Sequence, residues 1–272
     1  MRNGYARRGR LVAALLGLGY LFLYAPITLL VAASFNPSRL TTVLTGFSLR
    51  WYGVLWHDQA LLDAAALSLR VAAVSATGAT ALGLGAGYAL ARFGRFRGRG
   101  LFSALVAARL VLPDVLVGLS LLLLFVQVEQ WVGWPRRGAV TIMLAHVSVS
   151  LSYVAVVIEA RLTDQGSELE EAAMDLGASP WQAFLQVTLP LLAPALVAGW
   201  LLAFTLSLDD LVVASFVSGP GASTLPMVVF SALKLGLTPE LNALATVILV
   251  LVGAAALLAL AVQRRAERRA GG

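Results

Sequence analysis

The chain has 272 residues, of which 59% are hydrophobic and only 12% charged, whereas an ordinary soluble domain carries about 25% charged residues. Its net charge of +6 comes from arginines clustered between apolar stretches, not interleaved with polar and aromatic side chains, which excludes a nucleic-acid-binding surface and leaves a lipid bilayer as the solvent. Cysteine is absent, so thiol chemistry, disulfides and cysteine-based zinc sites are excluded.

A basic start with Arg2, Arg7, Arg8 and Arg10 precedes the first apolar stretch, residues 11–34. Val31-Ala32-Ala33 resembles a signal cleavage site, but the apolar core of a signal peptide is only about 7 to 15 residues long. The stretch reads as an uncleaved anchor helix. Further spans follow at 65–91, 101–126, 138–159, 191–217 and 240–262, each long enough to cross a ~30 Å hydrocarbon core at 1.5 Å per residue. The expectation is an all-α protein with six transmembrane helices, a single membrane domain over 11–262, a basic start at 1–10 and a basic tail at 263–272. Arg92, Arg95, Arg97 and Arg99 lie between the second and third spans, and Arg264, Arg265, Arg268 and Arg269 lie in the tail. By the positive-inside rule these segments and both termini are cytoplasmic.

The third span holds Arg109 and, after Pro113, Asp114; the fifth holds Asp209 and Asp210. A carboxylate near the bilayer centre costs about 2.5 to 3.5 kcal/mol on insertion scales, so the adjacent pair costs about 5 to 7. These side chains must face protein or water. Asp114, Asp209 and Asp210 are the candidate substrate path, since acidic groups in the outer half of a bundle attract cations. A structural role stays open beside it: each aspartate caps a broken helix or pairs with Arg109 or Arg70. Pro113 is expected to kink its helix. His146, in the fourth span, reads as a hydrogen-bonded structural residue, and it is too far from His57 to share a site. No cluster has metal-ligand spacing. The only lysine, Lys234, sits between leucines, so no phosphate-binding Gly-x-x-x-x-Gly-Lys-Ser/Thr loop exists. This chain is expected to bind no cofactor; if transport is driven by ATP, another chain must bind the ATP and its magnesium.

The connection between spans four and five, 160–190, is acidic where topology alone would make it basic. Ser167 and Glu170 have capping-box spacing, followed by apolar Leu169, Ala172, Ala173 and Leu176 on one helix face. Gly177 is placed to end that helix. Ser179, Pro180 and Gln182 then open a second one that presents Trp181, Phe184 and Leu185. This ordered helix-turn-helix is a surface for another protein. Beyond span five, residues 226–235 are too short to cross and read as a helix lying at the surface or dipping into the assembly, with Thr238-Pro239-Glu240 starting the last span.

Glu171-Ala172-Ala173, Gly177 and Val187-Thr188-Leu189-Pro190 resemble the EAA motif of ABC importer permeases, EAA-x3-G-x9-I-x-L-P, with Val187 in place of isoleucine. The resemblance continues through Leu112-Pro113-Asp114-Val115, Leu206 to Leu211, and Ser215 to Gly221, and is greatest to the polyamine-importer permeases; Arg109 departs from the uncharged residue expected there. It implies a type I (MetI-like) ABC importer permease fold in the bacterial inner membrane and no catalysis by this chain. Implied partners are a homologous second permease, two copies of an ATPase and a periplasmic polyamine-binding protein. It also implies ATPase coupling through Glu171, Ala172, Ala173, Asp175, Gly177, Trp181, Leu189 and Pro190. The implied cargo is putrescine or spermidine. An iron, phosphonate or sulfate permease is the nearest alternative, and a secondary carrier or ion channel a more distant one.

Overall fold

A computed structural model describes residues 2–38, 45–235, 239–251 and 253–254. Among them there are helices and no strand: α1 (Arg2–Ser34), α2 (Arg50–His57), α3 (Gln59–Arg92), α4 (Arg99–Val111), α5 (Asp114–Val132), α6 (Ala139–Gln165), α7 (Glu168–Asp175), α8 (Pro180–Ala183), a π-helical turn Phe184–Thr188, α9 (Leu189–Leu208), α10 (Val212–Val217) and α11 (Leu225–Leu235). A further apolar helix, α12, covers Pro239–Leu251. Five stretches are long and apolar enough to cross a membrane: Leu15–Ser34, Gln59–Arg92, Asp114–Val132, Ala139–Gln165 and Pro180–Leu208. Of the sixth expected span, 240–262, residues 240–251 fall in α12 and 253–254 are helical; the others and the basic tail lie outside the described residues.

Two expected spans are not continuous. The third breaks at Leu112-Pro113, because proline lacks an N–H and forces the preceding residue out of the helical region; Leu112 accordingly has ψ 134°. The fifth starts as far back as Pro180 and stops at Leu208, and α10 opens only at Val212. No proline or glycine marks that second break; two aspartates occupy it.

Backbone contacts divide the chain into two units, Leu62–Val228 and the segments before and after it. In the first segment, α1 meets α2 through polar ties: the Ser34 and Tyr52 hydroxyls are 2.7 Å apart and Trp51 Nε1 donates to Asn36 O at 2.7 Å. Within Leu62–Val228, α6 is the central helix, buried against α3, α4, α9 and α10. Small residues let the helices approach, as membrane bundles require. At Gly87 an added Cβ would lie 2.6 Å from the Ala155 carbonyl oxygen, and at Gly83 one would lie 2.7 Å from Val154 Cβ. Polar ties again cross the interfaces, from Ser75 Oγ to Met143 O at 3.1 Å and from Thr141 Oγ1 to Val217 O at 2.7 Å. Helix α5 keeps most of its apolar surface outward, with Leu119, Leu123 and Leu124 exposed.

Candidate functional site

The two helix breaks meet. Helices α5 and α10 pack side by side, with Gly118 so close to α10 that an added Cβ would lie 2.7 Å from the Phe216 ring. Between the breaks lies a cavity of about 270 Å³ lined by Arg109, Asp114, His146, Ser150, Tyr153, Asp209 and Asp210 among others. All three path aspartates expected from the sequence therefore share one pocket.

Their surroundings differ. Asp114 opens α5, where a carboxylate is favoured by the helix dipole, and its Oδ1 accepts from Arg109 Nη2 at 2.9 Å. Arg109 Nη1 also reaches the carbonyl of Leu112 at 3.3 Å, which the proline break frees from its helix. The arginine is thus accounted for: it ties the two ends of a broken helix. Asp210 caps α10, accepting from Val213 N at 3.3 Å and Ala214 N at 2.7 Å. Its Oδ2 also lies 3.0 Å from His146 Nε2. A carboxylate only accepts, so Nε2 is the donor; the other ring nitrogen lies 2.6 Å from Ser207 Oγ. The structural role expected for His146 is its role here, and it is the buried post against which the second break is set. Asp209, at the end of α9, is exposed; its carboxylate hydrogen-bonds its own backbone N–H and has no ion-pair partner among the described residues. Ser150 Oγ and Arg109 Nε are buried without a partner.

The second candidate surface is the acidic connection. Gly166 ends α6 at φ +68°, and Gly177 ends α7 at φ +94°, a left-handed conformation open to glycine at little cost. Gln182 N donates to Ser179 Oγ at 3.3 Å and Ser179 N to Gln182 Oε1 at 2.8 Å, the expected capping box. The box expected from Ser167 and Glu170 does not form. Glu170 turns instead to Arg92 of α3, at 3.1 Å, and Ser167 Oγ donates to Glu171 Oε1 at 2.6 Å. No residue of α7 is buried. Glu171, Ala172, Asp175 and Pro190 are exposed, while Ala173 and Leu189 are half-buried. Leu176 is 91% and Trp181 66% exposed; the Trp181 ring stacks on Phe184, whose other neighbour is Tyr88 of α3. The residues after α8 are wound as a π turn before Pro190, which has no N–H to give. Among the described residues no three histidine or acidic side chains form a metal-holding group.

A bundle of apolar helices with a polar pocket between broken segments and a largely exposed helix pair on the connection between spans suits a transport permease. The chain belongs to the family described as the binding-protein-dependent transport system inner membrane component, which it matches over residues 79–272. It is 56% identical over 253 residues to the putrescine transport system permease protein PotI of Escherichia coli (strain K12), covering 93% of this chain and 90% of that one. It is 41% identical over 232 residues to the spermidine/putrescine transport system permease protein PotC of the same strain, covering 85% and 86%. A bacterial ABC transporter involved in the import of the acidic polysaccharide alginate shares the fold, with a TM-score of 0.71 at 18% identity over 94% of this chain and 95% of that one. The fold is that of type I ABC importer permeases, as the resemblance to the EAA-motif family implies.

Proposed function

We propose that this chain is one permease of an ATP-driven importer that carries polyamines, putrescine foremost, across the bacterial inner membrane into the cytoplasm. The observation that carries this is the identity of 56% along 93% of the chain to a putrescine permease. The pocket agrees with a cationic cargo, because after Asp114 is matched by Arg109 and Asp210 by His146 and two backbone N–H groups, the carboxylate of Asp209 is left over. An alkylammonium passing there gains a charge-assisted partner that costs no existing ion pair. In this reading Asp209 meets the cargo, and Asp114 and Asp210 hold the broken helices that shape the passage.

The chain works beside a homologous second permease, receives cargo from a periplasmic binding protein, and is driven by two ATPase copies that bind ATP and magnesium. Glu171 to Pro190 is the surface those ATPases grip, supported by the exposure of Leu176 and Trp181. Uptake of radiolabelled putrescine by cells lacking only this chain tests the assignment. Loss of uptake, restored by the intact gene and competed by spermidine but not by sulfate or phosphonate, is the expected result. Undiminished uptake overturns the polyamine assignment.

A further inference from the structure

Arg92 closes α3 with a guanidinium that holds three pieces of chain at once. Its Nε donates to both carboxylate oxygens of Glu170 on α7 at 3.1 Å, its Nη1 donates to Leu162 O at 3.0 Å, and its Nη2 donates to Gly166 O. Leu162 O lies in the last turn of α6, where carbonyls have no partner within the helix. The two side chains are each only 13% exposed. Helix α7 has no buried residue of its own, and a pocket of about 250 Å³ beside it is lined by Arg92 and Glu170 themselves together with Tyr88, Met174 and Phe184 among others. An apolar core therefore does not fasten α7 to α3.

We propose that Arg92 is a positioning residue for transport: the joint through which displacement of α7 is passed to α3 and α6. The proposal rests on the reading that α7 is gripped by an ATPase. A guanidinium suits this use because its planar fork serves a carboxylate and two carbonyls together, whereas the ammonium of lysine is a single point of attachment. Breaking the joint leaves the docking face of α7 in place but lets α7 move without taking α3 along.

The test uses the whole complex, with its partners, in liposomes, and reads ATP hydrolysis and radiolabelled putrescine uptake from the same vesicles. Arg92→Lys and Glu170→Gln are expected to keep hydrolysis within about twofold while lowering putrescine moved per ATP by roughly fivefold or more, the scale of losing charged hydrogen bonds. The double variant should be no worse than either single one, since both remove one joint. Transport per ATP that stays at the wild-type value, whether or not the amount of assembled complex falls, overturns the proposal and leaves Arg92 a purely structural cap. Failure of the underlying reading looks different: wild-type vesicles would then show no ATP-dependent uptake.

Discussion

Asp209 and Asp114 share a pocket but answer to different physics. The carboxylate of Asp209 has no charged partner among the described residues, so Asp209→Asn removes a charge without stranding another. We expect normal amounts of folded chain and putrescine uptake lowered about tenfold at sub-saturating cargo, the size of one charged hydrogen bond; unaltered uptake would exclude Asp209 from the path. Asp114→Asn strands Arg109, whose side chain is 12% exposed and whose Nε is already unpartnered. Folded chain recovered in detergent should fall, and Arg109→Gln added to it should restore most of the loss, because an orphaned charge costs more than an absent pair. A double variant as poor as Asp114→Asn would show that the pair matters for something other than mutual neutralisation. The aspartates were legible in the sequence because a carboxylate in an apolar span must find protein or water. Their partners were less so: His146 lies 64 positions from Asp210 and Arg92 lies 78 from Glu170, and spacing along one helix carries no signal for such contacts.

Helix ends show the same division. Pro113 announces its break, and Ser179 with Gln182 announces a cap, because each effect is made within four residues of chain. The Ser167 box fails for the opposite reason: a local bond from Glu170 competes with a charged one to Arg92, and the charged one wins. The break at Asp209-Asp210 carries no proline or glycine, and only the cost of two adjacent carboxylates hinted at it. Two glycines allow a direct comparison between an element's packing and its turn. Gly87→Ala sets a Cβ 2.6 Å from a backbone oxygen that cannot swing aside, so α3 and α6 must separate. We expect about 1 to 3 kcal/mol of destabilisation, seen as a lower Tm of the purified chain. Gly177→Ala meets no neighbour within 4 Å, but its φ of +94° costs an alanine about 1 to 2 kcal/mol. That strain sits on an exposed turn whose relaxation reorients α7 against α8, so the Tm should hold while ATPase co-purification weakens. Equal Tm losses in the two variants would contradict this separation.

For the whole molecule, the expected topology rests on where the arginines fall. The start, the connection after α3 and the tail hold four arginines each, whereas the opposite connections hold Arg39, Arg50, Arg136, Arg137 and Lys234 spread over longer stretches. Short flanking segments rich in Lys and Arg are retained on the cytoplasmic side, so the expectation is that both termini and the 160–190 connection lie inside and the connections after the first, third and fifth spans outside. That assignment requires an even number of crossings. Five described stretches are long enough to cross, so the expected orientation calls for one further crossing. Reporter fusions decide the matter: alkaline phosphatase should be active when fused within 134–137 and inactive within 93–98 or after Gly272, and a fluorescent protein after Gly272 should glow. An active phosphatase at the tail would make the crossings odd in number. It would also set the basic tail opposite the two other arginine clusters, against the rule from which the orientation was drawn.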